Sequence, residues 1–427
     1  MKLLFALLTL TAACYGAHRD RGDDTPMPDG GIDAPMCGTT TCDDVTAPAC
    51  EGNTLVTYGA TCEGNACSYP ETEVDCGSSG CCGDHCCGFA PSNGSDFGAV
   101  TSNGMSVAPP NGTFDTSTEC TNPSALGACE VATRADLGEV CVCRADRFTI
   151  GDLRINGSRA LVLFAHREVI VTGKLEVSGR NTVAGPGASY LYSSTPSYKN
   201  HGGVGGSYAS VGGSNAVGRT ALPVYGDPSL VPLTGGMSGE ASGGSAGGGG
   251  GALQISARES IQVTGTINAG GGGGGGGVSA ESLAGGGGGG SGGAILLEAL
   301  TVVVNGKLYA NGGGGGGAGG ETRAGSTGGN GGYNDLSPAY GGDGDDGGGC
   351  ALQGTTSGGW GGVGGRGPDS PTIGGPSDSV SGCFNYAFVG GGGGGGAVGR
   401  IRINTMTGCQ CGGTISPNPT YGTVVQQ

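Results

Sequence analysis

Five runs of glycine constrain this chain more than any other feature of its sequence. They cover 247–251, 270–277, 285–290, 312–317 and 390–396, and glycine makes up 102 of the 427 residues. Because each glycine inside a helix costs about 1 kcal/mol relative to alanine, long helices are disfavoured. The runs lack the Gly-x-y period of a collagen triple helix. Two interpretations remain: flexible linkers, or polyglycine-II helices that exchange backbone hydrogen bonds side by side.

Short strands recur beside the glycine runs, which favours the ordered interpretation. Each copy of the repeat has two apolar-alternating stretches, in the pairs 161–165 with 171–177, 253–257 with 263–269, 295–299 with 302–310, and 401–403 with 413–415. Period-two alternation predicts strands with one buried face. A single copy cannot bury that face, whereas stacked copies can. The sequence therefore predicts an all-β fold, a parallel β-helix or solenoid over 147–427, and the alternative is an antiparallel sandwich or barrel.

The repeat alignment also predicts which side chains stack. One buried row contains Leu163, Ile255, Leu297 and Ile403, and a second contains Val171, Val263 and Val304. Glycines 173, 265 and 306 are expected at the turn between the two strands of each copy.

The start of the chain predicts export. Residues 1–13 combine a positive start, a short apolar stretch and small residues, which is typical of a secretory signal. Residues 10–14, Leu-Thr-Ala-Ala-Cys, resemble the bacterial lipobox. The resemblance implies lipid attached to Cys14 and an exported protein on the outer membrane, facing the cell exterior and touching the membrane through its anchor only. The alternative is an ordinary signal peptide. Residues 14–36 are expected to be a disordered tether.

The remaining 18 cysteines form three groups of even number, which predicts disulfides in an oxidising compartment. Residues 37–90 are expected to form a small disulfide-rich module and 91–146 a linking segment with two disulfides. A metal site at 81–87 is the alternative. The last group is expected to pin an insertion, with Cys350 and Cys383 joined to each other or to Cys409 and Cys411. The cysteines expected in disulfides are Cys37, Cys42, Cys50, Cys62, Cys67, Cys76, Cys81, Cys82, Cys86, Cys87, Cys120, Cys129, Cys141, Cys143, Cys350, Cys383, Cys409 and Cys411.

Residues 50–58, Cys62, 67–69, Cys76 and the pair Cys81 and Cys82 resemble a Cys-rich segment of myxobacterial surface proteins. The resemblance implies a glycine-rich, Cys-rich secreted lipoprotein and brings no catalytic residue. The glycine runs are similar in architecture to those of some phage tail-fibre adhesins.

Two insertions, 180–246 and 319–389, hold eight of the 13 tyrosines and the only tryptophan among glycine, serine and asparagine. This is the composition of antibody loops, in which rigid rings supply contact area, and ring faces also stack on sugars. The alternative is that the rings pack beneath their own loops. The candidate ligand contacts are Tyr190, Tyr192, Tyr198, Tyr208, Tyr333, Tyr340, Trp360 and Tyr386.

Charge and motif content narrow the function. A net charge of −16 argues against nucleic acid, because binding to phosphates requires basic residues. No cofactor is expected, although Asp343, Asp345 and Asp346 form a weak calcium candidate. No hydrolase elbow or zinc-protease motif occurs, and His166 and Arg258 are expected at solvated turns.

The sequence therefore predicts a structural or adhesive surface protein, not an enzyme, that contacts glycan, extracellular matrix or another cell. The alternatives are a polysaccharide lyase or hydrolase on a β-helix and a spacer without a ligand.

Overall fold

The computed structural model describes residues 36–37, 40–42, 45–52, 54–63, 66–76, 81–82, 85–86, 91–93, 104–121, 123–134, 138–189, 201–278, 284–320, 323–331, 337–344, 359–376 and 390–424. Within these ranges the regular elements are strands, with no helix. The all-β prediction is confirmed. No helix long and apolar enough to cross a membrane occurs in this part of the chain.

The strands fall into a short early group and a longer later group. The early strands are β1 Met36–Cys37, β2 Thr40–Thr41, β3 Ala49–Glu51, β4 Thr54–Tyr58, β5 Thr61–Glu63, β6 Ala66–Ser68, β7 Glu71–Asp75, β8 Cys81–Cys82 and β9 His85–Cys86. The later strands are β10 Ser106–Val107, β11 Gly112–Asp115, β12 Ala128–Arg134, β13 Gly138–Ile150, β14 Leu153–Asn156, β15 Ala160–Val171, β16 Lys174–Glu176, β17 Ala252–Val263, β18 Thr266–Asn268, β19 Ala294–Val304, β20 Lys307–Tyr309, β21 Arg400–Thr405, β22 Gln410–Cys411, β23 Thr414–Ser416 and β24 Thr420–Gly422.

The chain divides into two compact units, Met1–Thr46 with Tyr58–Glu71, and Ala47–Thr57 with Thr72–Gln427. In the smaller unit, β1 pairs with β2 and β5 with β6, both antiparallel, and Cys42 is bonded to Cys67. In the larger unit, β3 pairs antiparallel with β4, and disulfides join Cys50 to Cys81 and Cys76 to Cys86. The stretch 37–90, expected to be one module, is therefore divided between the two units.

Two parallel sheets organise the larger unit. The long sheet has the order β10-β13-β15-β17-β19-β21-β24, with β12 antiparallel on β13 and β22 beside β19. The short sheet has the order β11-β14-β16-β18-β20-β23. Each copy of the repeat adds one strand to each sheet, and the parallel pairing excludes the antiparallel alternative. The sheets begin at Ser106, not at residue 147, because residues 106–115 already supply one strand to each.

The predicted rows are present in the core. Leu163, Ile255, Leu297 and Ile403 are register partners on consecutive strands of the long sheet, and all are fully buried. Val171, Val263 and Val304 stack in the same way. The short sheet adds Leu175, Ile267 and Leu308 to the same cluster, so the core lies between the sheets. Burial of each large side chain stabilises the fold by about 1.5–3 kcal/mol.

The opposite face of the long sheet is buried too, although alternation predicts one buried face only. Val162 and Leu296 on this face pack against Tyr208 and Leu230 from the first insertion. Arg258 and His166, expected at solvated turns, lie on β17 and β15 and are 1% and 8% exposed. Arg258 Nη1 is 3.1 Å from His166 Nδ1. The guanidinium carbon of Arg258 also lies 5.8 Å from the centroid of the Phe164 ring on β15.

The glycine runs are bonded to one another with a period of three. In 284–293, the N–H groups of Gly286, Gly289 and Gly292 donate to 391, 394 and 397. Those of Gly287, Gly290 and Gly293 donate to 275, 272 and 269, and those of 288 and 291 donate to 240 and 237. The carbonyls of the same run accept from 203 and 206, from 244, 247 and 250, and from 313, 316 and 319. The run therefore has six neighbouring segments, and its backbone is paired with protein.

The insertions add segments to this arrangement, which we call the glycine bundle. Besides the five runs it contains parts of both insertions: 202–207, 212–214, 235–242, 325–331, 339–344, 359–365 and 372–375. These parts of the insertions are therefore built into the packed body and do not project from it as loops.

Candidate functional site

One surface of the glycine bundle carries exposed aromatic side chains. Its segments follow one another through backbone bonds: Gly329 N to Tyr340 O (2.8 Å), Gly361 N to Gly342 O (2.7 Å), and Gly375 N to Trp360 O (2.7 Å). This row of segments presents Tyr340, Trp360 and Ile373, which are 68%, 60% and 61% exposed. We call these three side chains the aromatic patch.

The Trp360 ring lies face-on against Gly375. A Cβ placed on Gly375 would be 2.7 Å from Cδ2, 2.7 Å from Cε2 and 2.9 Å from Nε1 of the indole. Nearly equal distances to neighbouring ring atoms mean that the ring turns its face, not its edge, to the glycine. The glycine has no side chain to hold the ring away, so one face is supported by backbone and the other is open.

Tyr340 repeats this arrangement on the neighbouring segment. A Cβ on Gly329 would be 2.9 Å from Cε1, 3.0 Å from Cδ1 and 3.3 Å from Cζ of its ring. Two rings from adjacent segments thus lie flat on glycine backbone, each with a free face. Sequence reasoning identified both aromatics, but it did not identify Gly329 and Gly375, which are inconspicuous among so many glycines.

Tyr208 is a different case, and its prediction as a ligand contact is wrong. Its ring is fully buried, and its hydroxyl donates to Thr234 O at 2.7 Å. The ring centroid lies 5.0 Å from that of Tyr225, and the guanidinium of Arg400 lies 5.2 Å from it. Burial raises the pKa of Tyr208 to about 12, an effect only partly offset by the Thr234 hydrogen bond and by Arg400. Tyr208 therefore packs the insertion onto the long sheet. The remaining candidates, Tyr190, Tyr192, Tyr198, Tyr333 and Tyr386, lie outside the described residues.

A pocket opens at the end of the bundle, and His201, Gly202, Asn215, Val217, Arg219, Glu240 and Ala241 line it. Its volume is about 110 Å³. Glu240 is buried, with its side chain 7% exposed, and forms an ion pair with the 45% exposed Arg219. Glu240 Oε2 also accepts from Val204 N at 3.3 Å.

The disulfides with both cysteines described lie within the groups seen in the sequence. Besides the three disulfides above, Cys120 is bonded to Cys141, Cys129 to Cys143 and Cys409 to Cys411, and Cys62 is also disulfide-bonded. The option that Cys350 or Cys383 joins Cys409 or Cys411 therefore does not occur. Cys14, Cys87, Cys350 and Cys383 lie outside the described residues, and for Cys37 and Cys82 only the backbone is described.

The weak calcium candidate is only partly placed. Asp343 is exposed, and its backbone N–H donates to Ser326 Oγ at 2.6 Å. Asp345 and Asp346 lie outside the described residues. Among the residues that are described, no three acidic, histidine or cysteine side chains gather around one point.

Comparison with known proteins finds no match to this chain. No protein-family model matches it, and neither a curated protein nor a solved structure does.

Proposed function

We propose that this chain is an exported, lipid-anchored surface protein with a structural or adhesive role, and that its aromatic patch contacts glycan. The observation that carries the proposal is the pair of exposed rings lying flat on Gly329 and Gly375. A ring with one supported and one free face is a rigid platform. It offers contact area at little cost in side-chain entropy, and the C–H face of a sugar matches it.

The scaffold that we propose is a parallel β-solenoid with a polyglycine-II bundle attached. Alternation of the chain between two parallel sheets, one strand each per copy, supports the solenoid. The period of three in the hydrogen bonds of 284–293, with six neighbouring segments, supports the polyglycine-II conformation, which has three residues per turn. Such a bundle holds its surface segments in fixed positions, which keeps the rings of the aromatic patch in place before a ligand arrives.

Export and anchoring remain part of the proposal. Cys14 and residues 1–13 lie outside the described residues, while the disulfides are of the kind that an oxidising compartment allows. Labelled fatty acid should be incorporated by the native chain and lost in Cys14→Ala, and label retained in that variant would contradict the anchor.

The spacer without a ligand makes a contrasting prediction, namely that aromatics pack within their own segments. Tyr208 follows that prediction. Tyr340 and Trp360 do not, because each is more than half exposed. The aromatic patch therefore favours a contact role.

The test is co-sedimentation of the oxidised, full-length mature protein with insoluble glycans. Trp360→Ala and Tyr340→Ala should each weaken binding by about tenfold or more, the range found for aromatic anchors at the centre of an interface. Tyr421→Ala is the matched control, because Tyr421 is a 56% exposed tyrosine on β24, outside the aromatic patch. Equal binding by all three variants, or no binding by the native protein, would overturn the proposal.

A further inference from the structure

We infer that the pocket around Arg219 and Glu240 is the polar half of the same glycan site, and that the site takes uncharged sugar units. This inference rests on the proposed glycan contact and adds where the hydroxyl groups bind and what class of glycan fits. Three observations carry it: the construction of the pocket, its place relative to Trp360, and its charge.

The pocket is built into the bundle. Glu240 N donates to Val204 O, and Glu240 O accepts from Gly288 N, both at 2.9 Å. Gly288 belongs to the run 284–293, which we call the central run. This backbone pairing on both sides fixes the position of the carboxylate, which is itself buried and held by Arg219 and by Val204 N. The acceptor side of the pocket is therefore already in place.

Asn215 shapes the turn that presents Arg219. Asn215 is 2% exposed; its Nδ2 donates to Gly202 O at 2.9 Å, and its Oδ1 accepts from Arg219 N at 2.9 Å. The turn closes through Gly218, which has a φ of 77° and whose N–H donates to Asn215 O. Within the described part of the chain, the Arg219 guanidinium bonds to Glu240 only, and nearly half of that side chain is exposed. Its other N–H groups are thus available to a ligand.

The pocket lies at the same level of the bundle as Trp360. Trp360 O accepts from Gly375 N, and Gly375 O accepts from Gly392 N at 3.1 Å. A Cβ on Gly202, which lines the pocket, would be 2.2 Å from Gly392 O. The neighbouring Gly374 N donates to Ser214 O, one residue before Asn215. The segment of Trp360 is thus next to 372–375, which is next to 212–214. At the usual spacing of extended segments, these two steps amount to roughly 10 Å, a span that two linked sugar rings cover.

The charge of the site selects the ligand. A buried carboxylate and a guanidinium that neutralise each other offer hydrogen-bond acceptors and donors without net charge, which suits the hydroxyls of a sugar. The whole chain carries −16, and its field repels polyanions. We therefore expect the site to prefer neutral glycans over sulfated or uronate-rich ones. The aromatic ring takes the C–H face of one unit while the pocket takes the hydroxyls of the next.

The experiment titrates the full mature protein with neutral glucan, mannan and galactan oligosaccharides, each beside its sulfated form. The native protein should bind a neutral oligosaccharide at least about tenfold more tightly than its sulfated form. Arg219→Gln should weaken that binding by about tenfold, since removing hydrogen bonds to a bound ligand commonly costs this much. Arg167→Gln is the matched control, because Arg167 is equally exposed and also pairs with a glutamate, Glu259, but lies on β15.

Val217→Trp keeps the ion pair and fills the pocket from its rim, where Val217 is 60% exposed, so it tests the site without disturbing the fold. Val217→Trp should also weaken binding of the neutral oligosaccharide by about tenfold or more. If Trp360→Ala removes binding while Arg219→Gln and Val217→Trp do not, the pocket is not part of the site, and the proposed glycan contact still stands. Tighter binding of the sulfated form would overturn the selection for neutral sugars. If the native protein binds none of the glycans, both proposals fail.

Discussion

Glycine is required in the bundle because neighbouring segments approach too closely to leave room for a side chain. At Gly288 in the central run, an added Cβ would lie 1.9 Å from Val204 O, a backbone oxygen that is already hydrogen-bonded to Glu240 N. No flexible side chain can move aside there, so the neighbouring segment itself must shift. The same close approach recurs at Gly286 and Gly395, each 1.9 Å from a carbonyl oxygen of another segment.

We expect Gly288→Ala to lower the free energy of unfolding by about 3 kcal/mol, the upper end of the usual cost of overpacking. Gly412→Ala is the control, because a Cβ there meets nothing nearer than 3.6 Å and its φ is ordinary. Urea unfolding followed by circular dichroism measures both. Equal stability of the two variants would mean that the bundle is not packed as described.

The ionisation of Tyr208 makes the free energy of unfolding depend on pH in the alkaline range. Because burial raises the pKa of Tyr208 from 10.0 to about 12, the folded state keeps a proton that the unfolded state loses. The stability that it contributes is complete below pH 10 and is lost between pH 10 and 12, at up to about 1.4 kcal/mol per pH unit. Burial lowers the pKa of Arg258 to about 10. In this pH range the folded state therefore loses the Arg258 proton before the unfolded state does, and the contribution of Arg258 to the free energy of unfolding rises with pH.

Tyr208→Phe should therefore flatten the loss of unfolding free energy between pH 10 and 11.5 while Arg258 and Tyr225 stay as they are. Urea unfolding at a series of pH values in the two proteins gives the difference. Parallel curves would contradict the burial of the Tyr208 hydroxyl.

At the scale of elements, the long sheet is unusual because its second face holds a buried carboxylate. Glu298 on β19 has no exposed surface. It accepts hydrogen bonds from Gln254 Nε2 (3.0 Å), Ser256 Oγ (3.0 Å) and Asn404 Nδ2 (2.9 Å), which lie on the flanking strands β17 and β21. Ser92 adds its N–H and hydroxyl from a segment far away in sequence. Several donors together replace the water that the carboxylate loses.

Glu298→Ala should cost about 3 kcal/mol or more, because it leaves several buried donors without an acceptor. Glu259→Ala is the control: it removes a carboxylate whose side chain is 47% exposed, and such surface changes usually stay within about 0.5 kcal/mol. Chemical denaturation of both variants decides the matter. A loss as small as that of the control would show that the network does not stabilise the sheet.

At the scale of the larger unit, the sheets and the glycine bundle are continuous. Gly251 leads into β17, Gly293 into β19 and Gly399 into β21, and N–H groups at these junctions still bond to neighbouring segments. A run that enters a strand at each pass is therefore held at one end by the sheet and along its length by other runs. This geometry distinguishes an ordered bundle from a set of linkers.

Hydrogen exchange measures that order directly. The amides of 286–293 should exchange as slowly as those of β17 and β19, since each donates inside the protein. The exposed stretch 45–48, which has no strand structure, serves as the fast-exchanging reference. Exchange of the glycine runs at the rate of that reference would restore the linker interpretation.

The sequence by itself determined the features that depend on local spacing. Period-two alternation and the repeat alignment were sufficient for the all-β class and for the stacking of Leu163, Ile255 and Leu297, because the register of parallel strands follows the side chains that must be buried. Even cysteine groups indicated pairing within groups, since cysteines that are close in sequence meet most easily.

Only the tertiary structure decided which side chains are covered. Tyr208 and Tyr340 have similar surroundings in sequence, yet Tyr208 is buried beneath its own insertion and Tyr340 is exposed on the bundle. Glu298 and Arg258 alternate with apolar residues as solvated side chains do, yet both are buried. Exposure depends on which distant segment lies above a residue, and that is set by long-range packing and not by the period of the local sequence.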